Sequence, residues 1–291
     1  MHKVLITGAN GALGKAVAAS FADMSNIEIL KAMRSTNDDS ELRLDVLDKQ
    51  QVVSVIQIHQ PRIIVHLAAT FDADFEQSYK TNVLAAKYIL DAVRDQQAKT
   101  RVLLIGSAAE YGVINPEENP IKEDHVLRPV SVYGVTKAWQ TQLATLYASY
   151  GVDVLVARVF NLEGNGLSDR LFIGRVHRQI EEFLSAKRTV IETGSLSATR
   201  DYVNLKEAAS QILSIAKHGS QGKIYHVASG VPVVMRDLLK RMLSENNIKM
   251  DVVQESNALS NRKGYDVPVI YADVTSTLQL MGLKGRGIFD A

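Results

Sequence analysis

Lys3-Val4-Leu5-Ile6-Thr7-Gly8-Ala9-Asn10-Gly11-Ala12-Leu13-Gly14 decides the fold of this chain. A short apolar run enters a Gly-x-x-Gly-x-x-Gly turn, and an amphipathic stretch, Leu13–Met24, leaves it. Glycine at Gly8, Gly11 and Gly14 permits positive φ and lets backbone approach a pyrophosphate closely. The helix start adds unpaired N–H groups and partial positive charge. The turn therefore reads as a dinucleotide cradle whose wall includes Asn10, Ala12 and Leu13. A tight strand–helix turn with no ligand is the plainer alternative.

Outward from that turn the same alternation repeats. Strand-like runs lie at Ile27–Met33, Ile63–Leu67, Val102–Ile105 and Val154–Val159, most of them apolar at nearly every position. Strands buried on both faces have that composition. Helical patterns fall between them at Lys49–His59, Asn82–Arg94 and Tyr133–Tyr150. The order predicts an α/β fold, a Rossmann-type doubly wound parallel sheet with right-handed crossovers. Ligands of such sheets sit beyond the carboxyl ends of the strands. Thr7–Gly14, Leu67-Ala68-Ala69, Ser107 and Phe160-Asn161 all fall at those ends. After Asn161 the pattern loosens, with a turn at Glu163–Gly166, a helix at Phe172–Ala186 and a loop at Thr193–Thr199. Helices at Leu205–Lys217 and Val234–Leu243 flank a strand at Lys223–Ala228. The expected division is a dinucleotide-binding domain of residues 1–161 plus 201–228, and a smaller C-terminal substrate lobe of 162–200 and 229–291.

Composition narrows the function. With 33 Lys+Arg against 32 Asp+Glu the net charge is +1, so no global field draws the chain to nucleic acid or membrane. The absence of Cys excludes disulfides, thiolate metal sites and cysteine nucleophiles, and no metal site is read. Met1-His2-Lys3 leads directly into the first strand without a signal peptide. No apolar run approaches the ~18 residues of a membrane span. A soluble, cytoplasmic protein is expected.

The second strand ends in Met33-Arg34-Ser35-Thr36. An acidic residue at that place suits a free ribose 2′-hydroxyl, whereas a guanidinium suits a 2′-phosphate. Arg34 therefore favours NADP(H), with NAD(H) as the alternative if Arg34 is a solvated cation and Asp38 or Asp39 reaches the ribose. Asp45, beside Val46 and after a brief strand-like run at Glu41–Leu44, either accepts from an adenine amine or caps the next helix.

Tyr133 and Lys137 are four apart on a helix and project from one face. An ammonium beside a phenol favours phenolate and draws its pKa down from about 10, as general acid–base work requires. Ser107, at a strand end, offers a hydroxyl for a substrate oxygen. Read singly, Ser107 is a cap, Tyr133 a packed aromatic and Lys137 a surface cation; together they form a proton-transfer group.

The chain resembles an extended short-chain dehydrogenase/reductase of the nucleotide-sugar branch, the NAD-dependent epimerase/dehydratase family. The matching segments are Thr7–Gly14, His66–Ala69, Asn82-Val83, Gly106–Gly112, Tyr133-x-x-x-Lys137, Arg158–Asn161, Thr199–Val203 and Tyr225–Gly230. Within that branch, the tail Asp266–Asp273 and the 128–140 segment look most like GDP-4-keto-6-deoxymannose reductases. The resemblance implies that Tyr133 is the acid/base, that Lys137 tunes it and holds the nicotinamide ribose, and that Ser107 orients the substrate oxygen. It implies cofactor contacts from Leu67, Ala68, Ala69, Asn82 and Phe160, besides the glycine turn. Asn161 and Arg200 fall where relatives contact the nucleotide-sugar's phosphates or nearby groups, and Arg170, Arg175 and Arg178 lie in the covering lobe. A homodimer through a four-helix bundle, built from the helices over Asn82–Arg94 and Trp139–Tyr150, is implied as well.

Two alanines separate the reaction types. Dehydratases of this branch carry carboxylates directly after the Ser/Thr, whereas here Ala108 and Ala109 line the substrate side. Alanine cannot shuttle a proton, and Glu110, in a strand-like run, would point away from Ala109. Ketone reduction remains, or 4-epimerisation with retained NAD. A non-catalytic NADP sensor would not be expected to keep Ser107, Tyr133 and Lys137. Asn165 stands where relatives often have Pro, and Asn261-Arg262-Lys263-Gly264 matches no tail pattern.

Overall fold

The computed structural model describes residues 1–36, 38, 40–96, 99–256, 267–283, 285 and 287–290. Its strands are β1 (His2–Thr7), β2 (Ile27–Met33), β3 (Leu42–Arg43), β4 (Ile63–His66), β5 (Arg101–Ser107), β6 (Val154–Val159), β7 (Asn161–Glu163), β8 (Ile191–Thr193), β9 (Thr199–Asn204), β10 (Ile224–Val227), β11 (Pro232–Val234), β12 (Val253–Glu255) and β13 (Val269–Ile270). Its helices are α1 (Ala12–Ala22), α2 (Lys49–His59), α3 (Phe75–Tyr79), α4 (Ala85–Asp95), α5 (Val132–Ser149), α6 (Phe172–Leu184), α7 (Leu205–His218), α8 (Met235–Ser244) and α9 (Thr275–Met281). A π-helical turn, Lys80–Leu84, joins α3 to α4.

Seven parallel strands form the main sheet in the order β10-β6-β5-β4-β1-β2-β3. The chain winds from β1 outward to β3, then returns to the other side of β1 at β4, where Thr7 pairs with His66. That reversal opens a crevice at the carboxyl ends of β1 and β4. The alternation of strand side chains sorts the core. Val4 and Ile6 pack with Val17 and Phe21 of α1 and Ile212 of α7, while Leu5 packs with Val52, Ile56, Ile89 and Leu90 on the opposite face. Phe21 is wholly buried, which contributes about 2–3 kcal/mol.

Outside this sheet, β9 pairs with β11, β13 and β7, while β8 pairs with β12. Against them α6 and α8 bury Ile173, Val176, Leu238, Leu239 and Leu243. The Thr193–Thr199 loop lies between β8 and β9, whose pairing partners are distant in sequence. Two expectations change here. Residues 201–204 belong to the small sheet and not to the dinucleotide half. The tail also leaves the substrate lobe early. Phe289 is buried in the α1/α7 core, and Arg62 donates to the Ile288 carbonyl at 3.0 Å. Among the described residues, no helix is long and apolar enough to cross a membrane, and no cluster of His, Asp or Glu could hold a metal ion.

Candidate active site

The glycine turn is pressed against the end of β4. Gly8 has φ +69°, and a Cβ there would lie 2.8 Å from the Ala68 nitrogen; one on Gly14 would lie 2.4 Å from the Gly8 carbonyl oxygen. The Thr7 hydroxyl meets His66 Nδ1 at 2.8 Å and accepts the Ala68 N–H at 3.3 Å, fastening the two strand ends. Burial, with the Lys137 charge adding, pulls His66 down to about 3, so the imidazole beneath the turn is neutral.

A cavity of about 880 Å³ opens from this turn. Its lining includes Gly8, Gly11, Ala12, Leu13, Leu67 and Ala69 from the cradle, and Ser107, Ala108, Ala109, Tyr133, Lys137, Phe160, Asn161 and Arg200 from the reacting side. The residues that form the two halves of the reading thus share one space. Other expected residues lie outside the lining. Asn10 is exposed beside the turn, Ala68 braces it by backbone, and Arg34 is exposed just past β2, whose Ala32 pairs with Thr7. The Asp38 carboxylate accepts from Ser40 N and Oγ, and Asp39 lies outside the described residues, as do Asp266 and Asn261–Gly264.

Further expected residues also lie outside the lining. Asp45 accepts from the Leu47 N–H at 3.0 Å within its own turn, and Asp48 is the residue that caps α2. Val46 packs into the core beside Leu44. Asn82 is fully buried: its amide donates to the Thr70 carbonyl and to Thr136 Oγ1, and its Oδ1 accepts the Thr70 N–H. It positions the loop after β4 against α5. Arg170 is exposed, Arg175 is half-buried on α6, and neither lines the cavity; Arg178 pairs with Asp169 at 3.3 Å.

On the reacting side, Ser131 caps α5 by accepting the Gly134 N–H at 3.0 Å. A Cβ on Gly134 would sit 2.4 Å from the Ala109 carbonyl, so only glycine lets the helix start approach the turn after Ser107. That approach sets Tyr133 and Ser107 on the wall of the same cavity. The Phe71 ring packs against Tyr133, tilted by 35° with 4.3 Å between centroids. Lys137 Nζ donates to the Ile105 carbonyl at 2.7 Å and to Gln140 Oε1 at 2.8 Å, and lies 6.0 Å from the Tyr133 ring centroid.

The phenol does not titrate as expected from the lysine alone. Burial pushes Tyr133 well above its ordinary range, the Ser107 hydrogen bond pulls it partly back, and the Glu110 carboxylate pushes it up again. Lys137 is itself pulled down to about 8 by burial, against the opposing pull of Glu110. A phenol held protonated at neutral pH is suited to giving a proton.

Four residues were not legible as parts of the site. Phe71 lines the cavity, and Glu110, Arg158 and Asp201 are buried behind it. Ala108–Glu110 forms a 3₁₀ turn, not a strand, so Glu110 folds back and accepts the Ser107 N–H at 2.7 Å. The Ser-x-x-Glu spacing is a capping-box signal for this turn. Asp201 accepts from Ser229 N and Oγ and from the Gly230 and Ala272 N–H groups, and its own carbonyl accepts from Asn161 Nδ2. It thereby fastens Arg200 and β9 to the segments that close the small sheet.

Residues 4–228 match the model of the NAD dependent epimerase/dehydratase family. The chain belongs to this family. It is an NAD(P)-dependent oxidoreductase of the extended short-chain dehydrogenase/reductase type. It is 26% identical over 263 residues to the GDP-6-deoxy-D-mannose reductase of Pseudomonas aeruginosa, covering 87% of this chain and 83% of that one. Against the GDP-6-deoxy-D-talose 4-dehydrogenase of Aggregatibacter actinomycetemcomitans the identity is 24% over 284 residues, 96% of this chain and 91% of the relative. The solved structure of RMD from Pseudomonas aeruginosa complexed with NADPH superposes with a TM-score of 0.84 at 22% identity, covering 100% of this chain and 98% of that one.

Proposed function

We propose that this family member reduces the 4-keto group of a nucleotide-activated 6-deoxy sugar, using NADPH. The observation that carries the reading is the single cavity joining the glycine turn to Ser107, Tyr133 and Lys137, with Ala108 and Ala109 in place of dehydratase carboxylates. The cradle fits a dinucleotide: a Cβ on Gly8 or Gly14 would collide with backbone, so the turn keeps main-chain groups bare for a pyrophosphate. Bound there, the nicotinamide supplies the hydride.

The chain's own residues supply the rest. Ser107 and Tyr133 donate to the carbonyl oxygen where negative charge develops, and Tyr133 gives its proton to the nascent alkoxide. Lys137, fixed by Ile105 and Gln140, keeps a positive charge beside the transferring proton. Arg200, buried on β9 and lining the cavity, meets the substrate diphosphate, as a guanidinium does well. Arg34, beyond the strand next to β1, meets the 2′-phosphate of NADP. The names of the reductase and 4-dehydrogenase relatives, and the NADPH of the RMD structure, support the substrate class and the cofactor.

A homodimer is proposed through α4 and α5. Trp139 and Leu146 of α5 and Tyr150 just past its end are exposed, and a shallow depression lies among Tyr79, Val83, Trp139, Leu143 and Leu146. Mixing the protein with NADPH and a panel of nucleotide 4-keto-6-deoxy sugars tests the function. Stoichiometric NADPH loss with one of them supports reduction. Interconversion of C4 epimers with tightly held NAD and no NADPH loss would establish the epimerase instead.

A further inference from the structure

Glu110 is wholly buried and touches three of the elements that carry the site. Its Oε1 accepts the backbone N–H of Ser107 at the end of β5, at 2.7 Å. Its Oε2 accepts from Thr141 at 2.8 Å, one turn past Lys137 on α5, and from Arg158 Nη2 at 2.8 Å and Nε at 3.1 Å on β6. Arg158 lies two positions before Phe160 and is itself buried. A Cβ on Gly106 would lie 2.6 Å from Glu110 Oε1, so the strand end is shaped to admit the carboxylate. The guanidinium is held in turn: its Nη1 donates to the Tyr111 hydroxyl at 2.6 Å and to the Glu123 carbonyl at 3.1 Å, and it stacks 4.5 Å from the Tyr111 ring.

We propose that Glu110 is a positioning residue for proton transfer, one carboxylate setting the register of Ser107, the Tyr133–Lys137 helix and the β6 end, and supplying the anionic field in which that pair works. This rests on the reading of Tyr133 and Lys137 as the proton-transfer group. A buried ion pair is a poor source of net stability compared with apolar packing of the same volume. A carboxylate bonded to the backbone of one site residue and to the helix of two others serves geometry and charge instead.

The charged and titratable groups facing this centre are few. Lys137 and Tyr133 are reached by the Glu110 carboxylate, and Lys137 also by His66 of β4; Glu110 is faced by Arg158 of β6 and the adjacent Tyr111. The negative charge of Glu110 raises the pKa of both Tyr133 and Lys137, so its removal lowers both. For ketone reduction, which needs the protonated phenol, the alkaline limb of the rate profile then moves to lower pH.

The test compares pH profiles of kcat and KM, and NADPH affinity, for the wild type, E110Q, the double variant E110L/R158M and Y133F. The double variant replaces the ion pair with apolar side chains, so that an unpaired guanidinium does not prevent folding. The expected result is a fall in kcat of about tenfold or more for E110Q and E110L/R158M, an alkaline limb displaced by about one pH unit, and NADPH affinity within about threefold of wild type. Folded variants with unmoved limbs, or with kcat within twofold of wild type, overturn the proposal. Failure of both to fold also counts against it, since Glu110 would then determine the fold and not the site. Y133F separates the two readings: full activity in Y133F refutes the acid/base role itself, whereas an inactive Y133F beside unmoved Glu110 limbs refutes only the positioning role.

Discussion

Asp201→Asn removes one acceptor oxygen from a side chain that accepts four hydrogen bonds in the small sheet. The native carboxylate accepts four donors: Ser229 N at 2.8 Å and Ser229 Oγ at 2.7 Å on Oδ1, Gly230 N at 3.0 Å and Ala272 N at 3.2 Å on Oδ2. Asparagine keeps one oxygen and turns the other position into an NH₂: at Oδ2 it opposes the Gly230 and Ala272 N–H groups, and at Oδ1 it opposes the Ser229 N–H while the Ser229 hydroxyl can turn to accept. Each buried donor left without a partner costs about 1–3 kcal/mol, and Asp201 has no exposed surface to let water substitute. One or two such losses give roughly 2–4 kcal/mol, equivalent to about 4–15 °C in Tm for a chain of this size. The consequence is also directional. β9 lies outside the seven-strand sheet, so NADPH affinity should stay within about twofold, while KM for the nucleotide sugar should rise at least tenfold, because Arg200 adjoins Asp201 on the same strand. Thermal melts, cofactor titration and steady-state kinetics on the one variant check all three. A Tm within 2 °C of wild type, or a loss of NADPH affinity equal to that for the sugar, would refute the role given to Asp201.

Other outcomes follow from the same structure. Gly14→Ala places a methyl 2.4 Å from the Gly8 carbonyl, so the turn must shift by about 1 Å; NADPH Kd should rise tenfold or more in a folded protein, and an unchanged Kd would contradict the cradle. Arg34→Ala should weaken NADPH at least tenfold and NADH by less than threefold, with equal losses contradicting the 2′-phosphate contact. His226 accepts from the Tyr111 hydroxyl and donates to the Asp273 carbonyl, and burial takes its pKa from 6.5 to about 4. The unfolded chain then binds this proton first, so stability is full above pH 6.5 and falls as pH drops toward 4, by about 3 kcal/mol from this group. Urea midpoints that stay flat between pH 7 and 4.5 would contradict it.

The dinucleotide half was legible because its strands are buried on both faces, and such strands announce themselves as apolar runs between amphipathic helices. Ser107, Tyr133 and Lys137 were legible for a related reason: the end of an apolar strand and a one-turn helical spacing are both local patterns. What stayed hidden depends on contacts between distant residues. β8, with three residues, carries too little pattern to show as a strand, and β9 is recognisable only through partners such as Pro232 and Val269. Glu110 was misdirected because the chain after Ser107 turns instead of continuing extended, which reverses the side chain. The binding role read for Asn82 gave way to a positioning one because its bonds to Thr70 and Thr136 close only in three dimensions. The direction of the Tyr133 shift was not legible because a Tyr-x-x-x-Lys spacing reveals the cation but not the burial of the phenol or the Glu110 charge near it.

The central claim is that Tyr133 gives the proton to a carbonyl reduced from the cofactor cradle. Single-turnover NADPH oxidation by wild type and Tyr133→Phe, with the same nucleotide 4-keto-6-deoxy sugar, tests it most directly. Loss of the phenol should slow the step by about 10²–10⁴-fold with NADPH affinity nearly unchanged; a phenylalanine variant that oxidises NADPH at the wild-type rate would contradict it.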